Sequence, residues 1–69
     1  MPFVNILITK EDSGPASESQ KEQLIEGVSD LLVRVLGKNK ASIVVIIDEI
    51  EPTNYGLGGK TIKKVRQGG

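Results

Sequence analysis

The chain has 69 residues, with nine basic and nine acidic side chains and neither His nor Cys. A domain this short buries only about 60% of the surface that its unfolded chain exposes, so it usually needs disulfides, a structural metal or oligomerisation. The missing Cys excludes disulfides and thiolate metal sites, and carboxylates alone make a poor zinc site. We therefore predict a single domain, residues 1–69, that is stable as an oligomer and binds no metal.

The balanced charge argues against a nucleic-acid partner, because phosphate binding needs a surplus of cations. No segment approaches the roughly 18 apolar residues of a membrane span. The first residues do not form the basic segment and apolar core of a signal peptide. These features lead us to expect a cytoplasmic protein with neither a nucleic-acid nor a membrane partner.

Residues 3–9, FVNILIT, are apolar and β-branched and predict a strand. Residues 10–17, KEDSGPAS, predict a loop. Ser17 and Gln20 have the spacing of a capping box at the start of a helix, and Gly37 is placed to end it. Gly27 lies inside that helix and lowers helix stability by about 1 kcal/mol relative to Ala. Because a glycine there needs a compensating reason, we expect another segment to pack closely against it.

The helix is predicted to be amphipathic. Its apolar residues recur at spacings of one, three and four, and they are Leu24, Ile25, Val28, Leu31, Leu32, Val35 and Leu36. Charged residues are predicted on the other, solvent-facing side: Lys21, Glu22, Glu26, Asp30 and Arg34. One side of the helix is therefore available to pack against a sheet.

Residues 42–50, SIVVIIDEI, predict a second strand with an uninterrupted apolar run from Ile43 to Ile47. Such a run is typical of a strand that is covered on both faces. Strand, helix and strand in this order predict a right-handed β-α-β unit with parallel strands, which is an α/β (α+β) fold. The helix covers one face, and nothing else in 69 residues can cover the other. We infer that a second subunit does.

The carboxyl-terminal residues predict turns and a short arm. Residues 51–59, EPTNYGLGG, have turn chemistry around Tyr55, and residues 60–66 predict either a short hairpin arm or a frayed helix that wraps a neighbour. Its cations, Lys60, Lys63, Lys64 and Arg66, either attract an anionic substrate or form a solvated charged end. The acidic residues Asp48, Glu49 and Glu51 are interpreted as a solvated strand end rather than a metal site.

Pro2 is the candidate catalytic residue. Removal of Met1, which a small second residue permits, would leave a secondary amine at the start of the first strand. An ordinary terminal amine titrates at about 7.7–8.0. Desolvation by Phe3 and Leu7, or a nearby cation, would lower that pKa and make the amine a base at neutral pH. The alternative is that Pro2 merely follows an initiator Met.

Taken together, MPFVNI, QKEQLIEGVSDLL and SIVVIIDEI followed by YGLGG resemble the 4-oxalocrotonate tautomerase family, in particular its DmpI-like branch. The resemblance covers nearly the whole chain. It implies β-α-β units that dimerise into a four-stranded sheet, with a short carboxyl-terminal hairpin, and assemble as a homohexamer. It also implies a cofactor-independent isomerase of aromatic catabolism, which moves a proton within a small anionic, unsaturated 2-oxo or 2-hydroxy acid.

The resemblance also assigns residues. Pro2 is implied as the acid and base, Ser42 as a substrate-binding residue, and Tyr55 as the aromatic residue that lines the pocket. The family uses an arginine at the position of Val44 and another in the loop after the first strand. This loop contains Lys10 and no arginine. We expect other cations to bind the substrate carboxylate instead, either Lys10 or Arg66 and Lys60 of a neighbouring arm; otherwise the enzyme acts on a different substrate.

Two alternatives stay open because of Val44. One is a proline-dependent lyase or dehalogenase, in which Pro2 acts as an acid or a nucleophile. The other is a non-catalytic subunit of a hetero-oligomer whose partner supplies the arginines.

Overall fold

The fold is a β-α-β unit followed by a small hairpin and a short helix. The computed structural model describes residues 1–11 and 14–68, so residues 12 and 13 of the predicted loop lie outside the described residues. The helices and strands are β1 (Phe3–Thr9), α1 (Glu18–Leu36), β2 (Val44–Ile50), β3 (Gly56–Leu57), β4 (Lys60–Thr61) and α2 (Ile62–Arg66). Short 3₁₀ turns at Lys40–Ser42 and Pro52–Asn54 precede β2 and β3.

Strands β1 and β2 pair in parallel over their full length, from Phe3 opposite Val44 to Thr9 opposite Ile50. This confirms the predicted crossover. Strand β2 begins at Val44 rather than at the predicted Ser42, because the Asn39 side chain accepts a hydrogen bond from the Ala41 N–H (3.1 Å) and starts a 3₁₀ turn. Local capping therefore competes successfully with strand propensity at this end.

Helix α1 begins and ends as its capping residues predict. The Ser17 hydroxyl accepts from the Gln20 N–H (3.1 Å), and the Gln20 side chain accepts in return from the Ser17 N–H (2.9 Å). Gly37 follows the helix with φ of 66° and donates to the Val33 carbonyl (3.0 Å). The close packing expected at Gly27 is wrong for the single chain, since a Cβ built there meets no atom within 4 Å.

The carboxyl-terminal arm was predicted to be either a hairpin or a short helix, and it contains both. Strands β3 and β4 form an antiparallel hairpin, and α2 follows at once, capped by the Thr61 hydroxyl. The Ile62 N–H donates to the Tyr55 carbonyl at 2.7 Å, which closes the arm onto itself. The arm is therefore a folded unit at the carboxyl-terminal ends of β1 and β2.

The described part of the single chain has no apolar core. Among the described residues no apolar side chain is fully buried, and the one buried residue is Ser29, whose hydroxyl donates to the Ile25 carbonyl. The radius of gyration is 15.4 Å, against about 11 Å for a compact domain of this length. The accessible surface is 5169 Å², against about 4,200 Å² for a compact monomer of this mass.

One face of the sheet is open. Exposure alternates along β1, with Phe3 (69% exposed) and Leu7 (64%) on the open face and Val4, Ile6 and Ile8 half-buried against α1. Ile46 of β2 lies on the same open face and is 45% exposed. The face thus presents apolar side chains to solvent, as the continuous apolar run in the sequence indicates.

Candidate active site

Pro2 and Ser42 lie at the amino-terminal end of the sheet. The Pro2 carbonyl accepts a hydrogen bond from the Val44 N–H (3.0 Å), which anchors residue 2 at the start of β1. The Ser42 hydroxyl donates to the Asn39 carbonyl (2.9 Å). Phe3 and Leu7, expected to desolvate the amine, are both exposed in the single chain. A dry environment for Pro2 therefore requires another subunit.

Lys10 and Arg66 come together at the opposite end of the sheet, although 55 residues separate them in sequence. They line one cavity of about 310 Å³. The Lys10 ammonium lies 3.2 Å from a Glu51 carboxylate oxygen, and the Arg66 guanidinium lies 3.5 Å from a Glu11 oxygen. Both pairs are solvent-exposed, and such pairs contribute only about 0–1 kcal/mol. An incoming carboxylate can therefore exchange with either Glu at little cost.

Tyr55 lies in a second groove at the same end of the sheet. The groove has a volume of about 440 Å³ and is lined by Leu7, Thr9, Ile50, Asn54, Tyr55 and Gly56. Tyr55 itself is 42% exposed. Its backbone is extended and is held by the hydrogen bond from Ile62, so the ring projects from a fixed point of the arm. Tyr55 and Lys10 are thus at the same end of the molecule.

The predicted site residues therefore form two groups. At about 3.3 Å per residue, Pro2 and Lys10 are separated by about 26 Å along β1. Pro2 and Ser42 belong to one end, while Lys10, Tyr55 and Arg66 belong to the other. The chain does not bring them into one pocket by itself.

Glu49 is the polar residue that the sequence interpretation missed. Its carboxylate accepts from the Ala16 N–H (2.7 Å) and lies 3.3 Å from the Lys21 ammonium, and its side chain is only 13% exposed. The Ala16 hydrogen bond and then the Lys21 charge hold the pKa of Glu49 below its usual value, against some desolvation. Glu49 thus ties the loop before α1 to the end of β2.

This contact corrects two interpretations of the sequence. Lys21 turns towards the sheet rather than lying on the solvent face of α1, because it pairs with Glu49. The strand-end carboxylates do not form one solvated cluster, since Asp48 and Glu49 project to opposite faces and Glu51 pairs with Lys10. In the sequence, Glu49 follows Val45 and Ile47 at a spacing of two residues. This alternation is the signal from which Glu49 can be assigned to the face of the sheet that α1 covers.

Within the part of the chain that the structure describes, no group of three or more acidic side chains could hold a metal ion. No helix among those residues is long and apolar enough to cross a membrane.

Comparisons with known proteins give the family. The model of the tautomerase family, described as a tautomerase enzyme, matches residues 2–65. A probable tautomerase of Helicobacter pylori strain J99 is 66% identical over 67 residues, which are 97% of each chain. The crystal structure of DmpI from Helicobacter pylori superposes with a TM-score of 0.83 at 62% identity, over 96% of this chain and 97% of that one.

A more distant likeness supports the fold alone. A heterohexamer 4-oxalocrotonate tautomerase from Chloroflexus aurantiacus superposes with a TM-score of 0.76 at 24% identity, over 96% of this chain and all of the other. Sequence and fold agree, and the chain belongs to the tautomerase family, as the resemblance to 4-oxalocrotonate tautomerases and their DmpI-like branch predicted.

Proposed function

We propose that the protein is a cofactor-independent isomerase that moves a proton within a small unsaturated 2-oxo or 2-hydroxy acid, with the amine of Pro2 as base and then acid. The observation that carries this proposal is the placement of Pro2. It heads a paired strand in a tautomerase fold, and its backbone is fixed by Val44. Once Met1 is removed, the ring holds the nitrogen lone pair in a defined direction at that end of the sheet.

The working form is a homo-oligomer built on a two-fold dimer. Strand β1 pairs with β2 on one side, and no described strand of the chain pairs with its other edge. Antiparallel pairing of two β1 edges about Ile6 sets Pro2 of one chain opposite Lys10 of the partner subunit and makes a four-stranded sheet. Three such dimers can then cover their open apolar faces in a larger assembly, for which we propose the hexamer.

This pairing joins the two groups of site residues. Pairing through the β2 edge would instead leave Pro2 far from Lys10 and Tyr55 of either chain. When the two β1 edges pair, the amine of Pro2 lies next to the cations that line the cavity of the partner subunit. Lys10 and Arg66 then bind the substrate carboxylate, and Ser42 and Tyr55 contact the remainder of the substrate. A general base held within reach of the bound substrate, as Pro2 would be, contributes on the order of 10²–10⁴ in rate.

The test is the rate of ketonisation of a 2-hydroxydienoate with one carboxylate, and of its analogue with a second carboxylate at the far end. Wild type and Pro2→Ala are compared, after mass spectrometry has shown the loss of Met1 in both. We expect turnover of about 10²-fold or more above that of Pro2→Ala. Undiminished turnover by Pro2→Ala would refute the proton-transfer role, and preference for the diacid would support the roles of Lys10 and Arg66.

A hetero-oligomeric role is the second candidate, and Val44 is the observation that favours it. An aliphatic residue pairs with Phe3 beside Pro2 and supplies no charge there. Turnover by the purified single chain would exclude a non-catalytic subunit. A chain that is inactive alone and gains activity only with another tautomerase subunit would support it.

A further inference from the structure

The proposed proton transfer leaves negative charge on an oxygen, and that oxygen needs a hydrogen-bond donor. When the hydroxyl proton of a 2-hydroxydienoate passes to the Pro2 nitrogen, the charge of the dienolate resides largely on the oxygen at C2. A donor aimed at such an oxygen typically contributes about 10²–10³ in rate. The need for such a donor rests on the proposed function.

Polar side chains next to Pro2 in its own chain are already engaged. The Ser42 hydroxyl donates its proton to the Asn39 carbonyl at 2.9 Å, so it can only accept from a ligand in this arrangement. The Lys40 ammonium lies 2.8 Å from Asp30 in a solvent-exposed pair, so it exchanges partners as readily as Lys10 does and is not a donor held in one position. Val44 has no polar group. These three side chains therefore supply no donor in a fixed position.

Tyr55 has the required group in the required setting. The side-chain hydrogen bonds among the described residues do not involve its hydroxyl. Leu7 and Ile50 supply apolar walls to its groove. Leu7 is exposed in the single chain, so the groove becomes a setting in which a hydrogen bond is stronger than in water once another subunit covers it. The Ile62 N–H fixes its backbone carbonyl (2.7 Å), so only two side-chain torsions remain free.

The neighbouring cations are placed for a different task. Lys10 and Arg66 lie in the cavity at the same end of the sheet, where each is paired with a Glu and exposed to water. Groups in this arrangement suit a carboxylate, which carries full charge before the reaction begins. The apolar groove of Tyr55 suits an oxygen that becomes charged only during the reaction.

We propose that the Tyr55 hydroxyl is a catalytic hydrogen-bond donor to the C2 oxygen of the substrate, acting on the substrate that Pro2 of the partner subunit deprotonates. The O–H bond of the enol breaks and its proton goes to the Pro2 nitrogen. The electron pair forms the C2 carbonyl as the protonated Pro2 returns a proton to a chain carbon. Tyr55 keeps its own proton throughout, so the reaction balances as an isomerisation.

The first test is Tyr55→Phe, which keeps the ring and removes only the hydroxyl. We expect kcat on the monocarboxylate enol to fall about 10²-fold while KM changes little, since the hydrogen bond strengthens as charge develops. An unchanged oligomer mass and circular dichroism spectrum show that the variant is folded. A fall in kcat of less than about tenfold would overturn the role of Tyr55.

The second test is complementation. Pro2→Ala and Tyr55→Phe are refolded together, so that mixed dimers contain one site with both native groups. For a two-fold dimer the mixture should recover about a quarter of wild-type turnover. Recovery no greater than the sum of the two separate variants would overturn the placement of Tyr55 across the subunit boundary.

The two proposals can fail separately. If Pro2→Ala abolishes turnover and Tyr55→Phe does not, the tautomerase function stands and the Tyr55 role is wrong. If Pro2→Ala retains turnover, the proposed function itself is wrong. Tyr55 is also the sole Tyr in a chain without Trp, so its ultraviolet absorbance reports directly on ligand binding. A saturated 2-oxo acid should shift this absorbance, and an unshifted spectrum at saturation would count against the contact.

Discussion

At the scale of single residues, Glu49 shows how one carboxylate positions a functional loop. It holds the Ala16 N–H and the Lys21 ammonium at the end of β2, next to the segment that carries Lys10. A carboxylate that accepts a backbone N–H and a cationic partner is stabilised in its charged form. The loop is thereby attached to the sheet immediately before α1 begins.

The lowered pKa of Glu49 predicts a pH dependence of stability. A depressed carboxylate pKa contributes stability above its unfolded value of about 4.5, and that contribution is lost as the pH falls through the folded pKa. We expect Glu49→Gln to be less stable at pH 7 and to lose less stability than wild type between about pH 5 and pH 3. Urea unfolding across this range measures both effects.

The control for this experiment is Glu22→Gln, which alters an exposed carboxylate on α1. It should keep the wild-type loss of stability in acid. If Glu49→Gln follows the same acid profile as wild type, the Ala16 and Lys21 contacts do not stabilise the fold.

At the scale of an element, the glycine inside α1 and the glycine that caps it have opposite roles. Gly37 has φ of 66°, a left-handed conformation in which a Cβ is unfavourable. Gly27 has helical geometry, and its surroundings include Glu22, Glu26 and Asp30 on the polar side of the helix. The same substitution should therefore have opposite effects at the two positions.

We expect Gly37→Ala to destabilise the fold by about 1 kcal/mol, because Ala resists the left-handed cap. Gly27→Ala should stabilise it by about 0.5–1 kcal/mol through helix propensity. Chemical denaturation of the two variants in parallel measures the difference. Destabilisation by Gly27→Ala would instead reveal that another subunit packs against this position.

At the scale of the whole molecule, the chain is too extended and too poorly buried to be stable alone. Its dimensions are 46 × 25 × 15 Å, and Phe3, Leu7 and Ile46 are exposed on one face of a two-stranded sheet. Burial of apolar surface contributes roughly 25 cal/mol per Å². The accessible surface exceeds that of a compact monomer by about 1,000 Å². Burial of its apolar part between subunits would therefore stabilise an assembly substantially.

We therefore expect analytical ultracentrifugation to give an oligomer at micromolar concentration. Ile46→Glu places a charge at the centre of the open face and should dissociate or unfold the assembly, since an unpaired charge is costly to bury. Gln23→Glu, on the exposed side of α1, introduces the same residue and should leave the mass unchanged. A folded monomer of wild type would contradict the assembly proposed here.

The sequence by itself determined the features that depend on local periodicity and capping. The capping box of Ser17 and the terminal Gly37 set the limits of α1, and the apolar run into β2 indicated a strand and a parallel crossover. The family could also be recognised from the sequence, because its motifs are continuous stretches of residues that begin at Pro2. These are properties of neighbouring residues, and they do not require knowledge of the fold.

Only the tertiary structure decided how distant residues meet. It paired Lys21 with Glu49 and placed Lys10 beside Arg66, because the loop and the arm both close on the carboxyl-terminal ends of the strands. It also placed Tyr55 at the Lys10 end of β1, away from Pro2. The predicted strand 3–9 already separates Pro2 from Lys10, but no sequence pattern places Tyr55, since its position depends on strand direction and on where the arm folds back.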